Sequence, residues 1–177
     1  SDCSLQPDYT KLESLVIANQ NVAVDIVCGG GANVKRLLKL CPQGKVYGMD
    51  LSEESVAFAR RHNAGELDRR CFIQQGDVCS LPYGDGAFDA VTAFETVYFW
   101  SSVSKALAEV FRVIRKGGCF LISLEASDPE LGKAWTERIK GMTVYGAEEL
   151  KQLLSQAGFS DIRVIQKKEE LHIVAHK

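Results

Sequence analysis

Strand-like and helix-like segments alternate along the chain, and this alternation restricts the fold more than any other feature. Apolar, β-favouring runs recur at 22-VAVDIV-27, 45-KVYGMD-50, 71-CFIQ-74, 88-FDAVTAF-94 and 119-CFLISLE-125, then at 162-IRVIQ-166 and 171-LHIVAHK-177. Between them lie stretches at helical spacing: Val34, Leu37 and Leu38; Val56, Ala59 and Arg60; Ala106, Leu107, Val110, Phe111 and Ile114. The two periods taken in turn predict an α/β fold, a three-layer doubly wound sheet that is mostly parallel, with helices on both faces. The first and fifth runs are nearly continuously apolar, as strands covered on both faces should be. The last two runs are joined only by KKEE. That is too short for a parallel crossover, so the seventh strand should pair antiparallel with the sixth.

The punctuation agrees. Ser52 ahead of Glu53 and Glu54 reads as a helix N-cap with acids in the first turn. Asp128-Pro129-Glu130 reads as N-cap, first-position proline and first-turn acid, and Gly117 and Gly158 stand where left-handed C-caps belong. No linker or repeat divides the 177 residues, so residues 1–177 are expected to be one domain, with a short helical segment over 1–20.

Composition removes several function classes. A net charge of -2 and a pI near 5.9 leave no domain-wide basic field for nucleic acid. No apolar run approaches the roughly 18 residues of a membrane span. The first ten residues, SDCSLQPDYT, have neither the basic nor the apolar region of a signal peptide. Six cysteines (Cys3, Cys28, Cys41, Cys71, Cys79 and Cys119) include no C-x-x-C pair and several lie in apolar runs. They read as small buried hydrophobes in a reducing, cytoplasmic setting, without structural zinc.

The stretch 24-VDIVCGGGAN-33 carries the chemistry. A strand running into three glycines and then a helix lets a ligand approach the backbone and meet free N–H groups at the helix N-terminus. A second strand ends in Asp50, about 20 residues on, where a ribose hydroxyl pair would be gripped. Glycine loop and strand-end acid together imply an adenosine-type cofactor without saying which. A nicotinamide enzyme would want G-x-G-x-x-G/A, but counting from Gly29 puts Val34 at the third glycine's place, and no Y-x-x-x-K dyad is present.

Four segments, 24-VDIVCGGGAN-33, 46-VYGMDLS-52, 76-GDVCSLPYGDGAFDAVTAFE-95 and 109-EVFRVIRKGG-118, resemble in order and spacing those of the class I S-adenosylmethionine-dependent methyltransferases. The resemblance is to their small-molecule branch, which includes quinone-biosynthesis methyltransferases, and covers roughly residues 20 to 177. It implies a Rossmann-like methyltransferase fold with seven strands and a small-molecule acceptor, in a monomer or homodimer with no nucleic-acid partner and no membrane span. It also implies site residues. Asp25 resembles the acid of the first motif, and Gly29 and Gly31 the glycines that admit the cofactor. Asp50, with Leu51 beside it, resembles the acid that accepts both ribose hydroxyls. Asp77 resembles the acid that accepts the adenine amino group, with the Val78 backbone nearby, the alternative being a simple turn or cap residue. Phe94 matches the position whose backbone meets the methionine portion.

Val27 departs from the D/E-x-G-x-G-x-G pattern, standing where the first glycine belongs. A β-branched residue favours extended backbone. Val27 is therefore expected to stay extended and be tolerated, with the bend falling at Gly29 to Gly31. If the position must pack closely against the cofactor, its two methyl groups intrude instead.

For the reaction, 94-FETVYFW-100 lies just past the fourth strand, where the acceptor should sit. Glu95 is the candidate polar active-site group, as proton acceptor or sulfonium-side electrostatic partner, and Tyr98 is the other catalytic candidate. Tyr98, Phe99 and Trp100 either wall the acceptor pocket or anchor the next helix in the core. Trp135 and Tyr145 are expected to face the pocket from the segment after the fifth strand. A second reading stays open, a methyltransferase-fold domain that binds cofactor but is idle, acting as regulator or partner subunit. Val27 and the short N-terminal segment motivate it.

Overall fold

The computed structural model describes residues 22–177. Cys3 and the helical segment expected over 1–20 lie outside the described residues. Seven strands form one sheet: β1 (Val22–Ile26), β2 (Lys45–Asp50), β3 (Cys71–Gln75), β4 (Phe88–Phe94), β5 (Ile114–Leu124), β6 (Ser160–Lys167) and β7 (Glu170–His176). Among the described residues five α-helices accompany them: α1 (Ala32–Leu40), α2 (Glu53–His62), α3 (Val103–Val113), α4 (Lys133–Arg138) and α5 (Ala147–Ala157). A 3₁₀ turn, Val97–Phe99, follows β4.

The strand order is β3-β2-β1-β4-β5-β7-β6. Strands β1 to β5 pair in parallel, and β7 inserts antiparallel between β5 and β6. The expected doubly wound sheet with its antiparallel last strand is present. Order reverses between β1 and β4, and a crevice outside the carboxyl ends of these strands is where such sheets take ligands.

Each sheet face has its own core. Val34, Leu37 and Leu38 of α1 and Ala59 of α2 pack with Val46, Ile73 and Leu121. Ala106, Leu107 and Val110 of α3 and Leu150 and Leu154 of α5 pack with Ile26, Val91, Phe120 and Ile122 on the other face. The 3.6-residue spacing in the sequence marks the stripes that face the sheet.

Boundaries differ in two places. Helix α3 runs directly into β5 at Ile114, so Gly117 (φ 83) lies inside a strand rather than capping a helix. Its N–H instead bonds the Lys177 carbonyl at 2.9 Å. Asp128 caps an isolated turn, accepting the Glu130 and Leu131 N–H groups, while α4 begins five residues later behind Gly132. Ser52 caps α2 through its hydroxyl, and Gly158 ends α5 in the left-handed region, both as expected.

Val27 is a correction. Its φ is 57, left-handed and not extended. The chain must leave β1 and reach the α1 N-terminus within five residues, and the turn begins at Val27. Its side chain packs against the larger core, which holds the position in a region costing an L-residue about 1–2 kcal/mol. Gly31 (φ 79) is needed for a second reason, since a Cβ there would lie 2.7 Å from Asn63 Nδ2 and 2.9 Å from the Ala59 Cβ.

Two outcomes follow for urea denaturation. Val27→Gly should be more stable than Val27→Ala by about 1 kcal/mol, because both lose the packing and only glycine relieves the backbone. At an extended strand position alanine would win. Gly31→Ala should cost about 2 kcal/mol, combining positive φ with a clash against α2.

Candidate active site

Three loops meet at the carboxyl ends of β1, β2 and β3, and Asp50 ties them together. One carboxylate oxygen accepts the Gly29 N–H at 3.0 Å and the other accepts the Ser52 N–H at 2.9 Å. Its backbone carbonyl accepts the Gly76 N–H at 3.0 Å. Asp50 is buried because it ends a central strand, yet each oxygen keeps a lone pair for a further donor.

The glycine loop is built on short backbone bonds. Cys28 N–H donates to the Met49 carbonyl at 2.8 Å and Gly31 N–H to the Cys28 carbonyl at 2.9 Å. Gly31 is the N-cap residue of α1 with no side-chain cap, so the helix presents backbone N–H groups outward. A Cβ on Gly29 (φ 49) would meet nothing within 4 Å. Asn63, buried at the end of α2, donates to the Gly31 carbonyl at 3.0 Å and steadies the loop from behind. No local pattern signals Asn63, because the contact spans 32 positions.

Asp25 faces inward. It is 1% exposed and accepts the Thr92 hydroxyl at 2.8 Å, joining β1 to β4 beneath the loop. Thr92 is a partner that the sequence pattern did not mark. Asp77 is exposed and accepts the Cys79 N–H at 2.9 Å on Oδ1, so it is a turn residue and also stands at the edge. Val78 is buried in the core beside it, whereas Leu51 is 65% exposed next to Asp50. Phe94 closes β4, half-buried against the core that contains Cys28. Burial pushes the Cys28 thiol up to about 12, so it stays protonated.

Glu95 follows β4 with φ 54, like Val27 a left-handed residue that is not glycine. Its N–H is held by the Ser123 carbonyl at 2.9 Å, and the Tyr98 hydroxyl donates to Oε2 at 3.0 Å. The same hydroxyl accepts the Ala126 N–H at 2.9 Å. Glu95 keeps access to solvent, but desolvation of its carboxyl, with a smaller contribution from the charge of Glu125, pushes it from an ordinary 4.5 up to about 7. Burial also pushes the Tyr98 phenol upward, so it remains a donor near neutral pH. A cavity of about 500 Å³ opens on the same edge between Glu125 and the β6–β7 turn (Lys167 to Glu170).

The aromatic candidates divide. Tyr98 is buried beside Glu95, Phe99 is 52% exposed, and Trp100 is buried in the core with its indole N–H bonded to Thr96 Oγ1 at 3.3 Å. Trp100 therefore anchors the scaffold. Trp135 is 57% exposed on α4, and Tyr145 is half-buried against the larger core.

Comparison with known proteins is consistent with this geometry. A family model described as a methyltransferase domain matches residues 24–122. A demethylmenaquinone methyltransferase of Symbiobacterium thermophilum is 35% identical over 60% of this chain and 43% of its own length. A malonyl-[acyl-carrier protein] O-methyltransferase of Legionella pneumophila is 31% identical over 72% of this chain and 45% of its own. The chain thus spans less than half the length of these curated relatives. Among solved structures, a SAM-dependent methyltransferase of Aquifex aeolicus superposes with a TM-score of 0.77 at 24% identity, covering 95% of this chain and 88% of that one. An S-adenosylmethionine-dependent methyltransferase of Mesorhizobium loti gives 0.77 at 18%, covering 96% and 97%. At these identities the two structures speak for the fold.

The Glu95 environment makes a prediction free of any ligand. Tyr98→Phe removes the donor that favours the ionised carboxylate, so the Glu95 carboxyl should titrate above 7, read by carbon NMR of the side chain. A raised acid pKa stabilises the fold at low pH and loses that contribution as pH rises from about 4.5 through 7. The variant should shift the upper end of that window to higher pH.

Proposed function

We infer that this chain, which belongs to the methyltransferase domain family, is an S-adenosylmethionine-dependent methyltransferase acting on a small-molecule acceptor. The carrying observation is Asp50, whose carboxylate holds the open Gly29 backbone on one side and keeps acceptor capacity on both oxygens.

The residues fit the cofactor by their chemistry. Asp50 would accept the ribose hydroxyls, and Gly29 and Gly31 leave the backbone accessible at the N-terminus of α1. Asp77, with Oδ1 taken by the Cys79 N–H, would offer Oδ2 to the adenine amino group, while Leu51 and the Val78 backbone border the ring. The Phe94 carbonyl would meet the methionine portion. Val27 packs into the core, so its methyl groups need not occupy that space. Bound there, S-adenosylmethionine supplies an electrophilic methyl group for in-line displacement.

The protein's own contribution is alignment and proton handling. Glu95 is the proposed proton acceptor for a group that loses a proton on methylation, and a carboxyl near 7 is half-ionised where it would work. Tyr98 orients it through the 3.0 Å hydrogen bond. The quinone and acyl-carrier acceptors named for the relatives favour an organic acceptor, but the atom methylated is not specified by these residues.

Calorimetric titration with S-adenosylmethionine and S-adenosylhomocysteine tests the cofactor. Micromolar binding is expected, and Asp50→Asn should weaken it by about 1.5–3 kcal/mol, roughly ten- to a hundredfold. Absence of binding in the folded protein would overturn the reading. With an acceptor in hand, kcat/KM should rise with pH through about 7 as Glu95 ionises, and Glu95→Gln should flatten that limb. Binding without turnover across a broad acceptor panel would favour the idle-domain alternative.

A further inference from the structure

A cavity of about 450 Å³ lies between α1 and the loop that follows α2, and neither Asp50 nor Gly29 lines it. Its volume falls within the roughly 300–1,000 Å³ of small-molecule sites. Lys35 and Lys39, at i and i+4 on α1, line it and are exposed, and neither has an ion pair among the described residues. The acid in the lining is Glu66, and both its oxygens are taken, Oε2 by Arg69 at 2.8 Å and Oε1 by Arg70 at 3.7 Å. Asp68 is paired with Arg60 at 3.4 Å, and residues 35–45 contain no acid. Glu53 and Glu54 begin α2, about 12 Å of helix away from His62 in the lining. The charge of the two lysines is therefore not cancelled.

Asn63 also lines the cavity and is 5% exposed. Its Nδ2 donates to the Gly31 and Ala59 carbonyls, both at 3.0 Å. That fixes the amide's orientation, because a flipped oxygen would face two acceptors. Oδ1 is buried and has no hydrogen-bond partner among the described residues. Asn63 thus offers an occupant an acceptor and no donor. Leu38 and Pro42 supply apolar wall, and the His62 ring, nearly parallel to that of Phe58 at 6.4 Å, supplies an aromatic surface.

We propose that this cavity binds an organic phosphate of mononucleotide size, with the phosphate on Lys35 and Lys39 and a ring N–H on Asn63 Oδ1. A phosphate group carries enough charge and acceptor oxygens for two ammonium groups one helical turn apart to share. One carboxylate would leave a lysine unmatched, and a metal ion would be repelled. The apolar wall and the His62 ring suit a planar ring. A nucleic-acid strand is the poorer occupant, since one recess of this size takes one ring and the whole chain carries -2. The amide that would meet the ligand also holds the Gly31 carbonyl, so occupancy would brace the glycine loop from behind. Binding here does not depend on the methyl-transfer reading, whereas any effect on cofactor affinity rests on it.

Guanosine monophosphate is the probe, because it carries the phosphate and ring N–H donors without the adenine that the Asp50 edge is proposed to take. It is titrated into the isotope-labelled full chain and followed by NMR. Saturable shifts of Lys35, Lys39 and the Asn63 side-chain amide are expected, with Ser52 and Gly76 left in place. Guanosine and inorganic phosphate should each bind at least tenfold more weakly, the first lacking the lysine contacts and the second the ring contacts. Lys35→Gln with Lys39→Gln should weaken the nucleotide at least tenfold without changing Tm, because both side chains are exposed. No saturable shift, largest shifts at Ser52 and Gly76, inorganic phosphate binding as tightly as the nucleotide, or undiminished binding by the double variant would overturn the proposal. So would a preference for a single-stranded oligonucleotide over the mononucleotide.

Discussion

Asp50 accepts the Gly29 N–H on one oxygen and the Ser52 N–H on the other, and the rest of the edge is arranged around that carboxylate. It brings the glycine loop, the start of α2 and, through its backbone, the loop after β3 into one surface. A buried carboxylate is costly unless its oxygens are bonded, so the two N–H groups are what allow the acid to sit at the end of a central strand. The same pair of bonds fixes Gly29 where the backbone is open. Loop shape and ligand-accepting capacity are thus properties of one group.

Two residues other than glycine, Val27 and Glu95, take left-handed backbone where β1 and β4 end. These adjacent strands flank the point where strand order reverses. A chain leaving a buried parallel strand must turn sharply before the next element. At Val27 the core holds the side chain, while at Glu95 the Ser123 carbonyl and the Tyr98 hydroxyl hold both ends of the residue. Surrounding structure determines these conformations, and the proposed cofactor and acceptor portions of the edge lie beside them.

Some of the site was legible because its signal is local. Asp50 and the glycines sit at a strand end and a strand-to-helix turn, and period-2 and 3.6-residue patterns locate those junctions without knowledge of neighbours. Thr92, Asn63 and the Ala126 N–H were not legible, since each acts across 28 to 67 positions. The cluster 98-YFW-100 shows the same limit. Three successive aromatics look alike in sequence, but the 3₁₀ turn sends Tyr98 beside Glu95, Phe99 to solvent and Trp100 into the core.

The sequence by itself determined the layers, the mostly parallel sheet with its antiparallel last strand, and the placement of glycines and acids at strand ends. Those follow from apolar periodicity and connection length, which are properties of short segments. Tertiary structure decided the strand order, the backbone angle at Val27, the elevation of the Glu95 carboxyl and the inward turn of Asp25. Each depends on which atoms from distant parts of the chain lie within a few ångströms. Desolvation and packing, unlike periodicity, exist only once the chain has closed on itself.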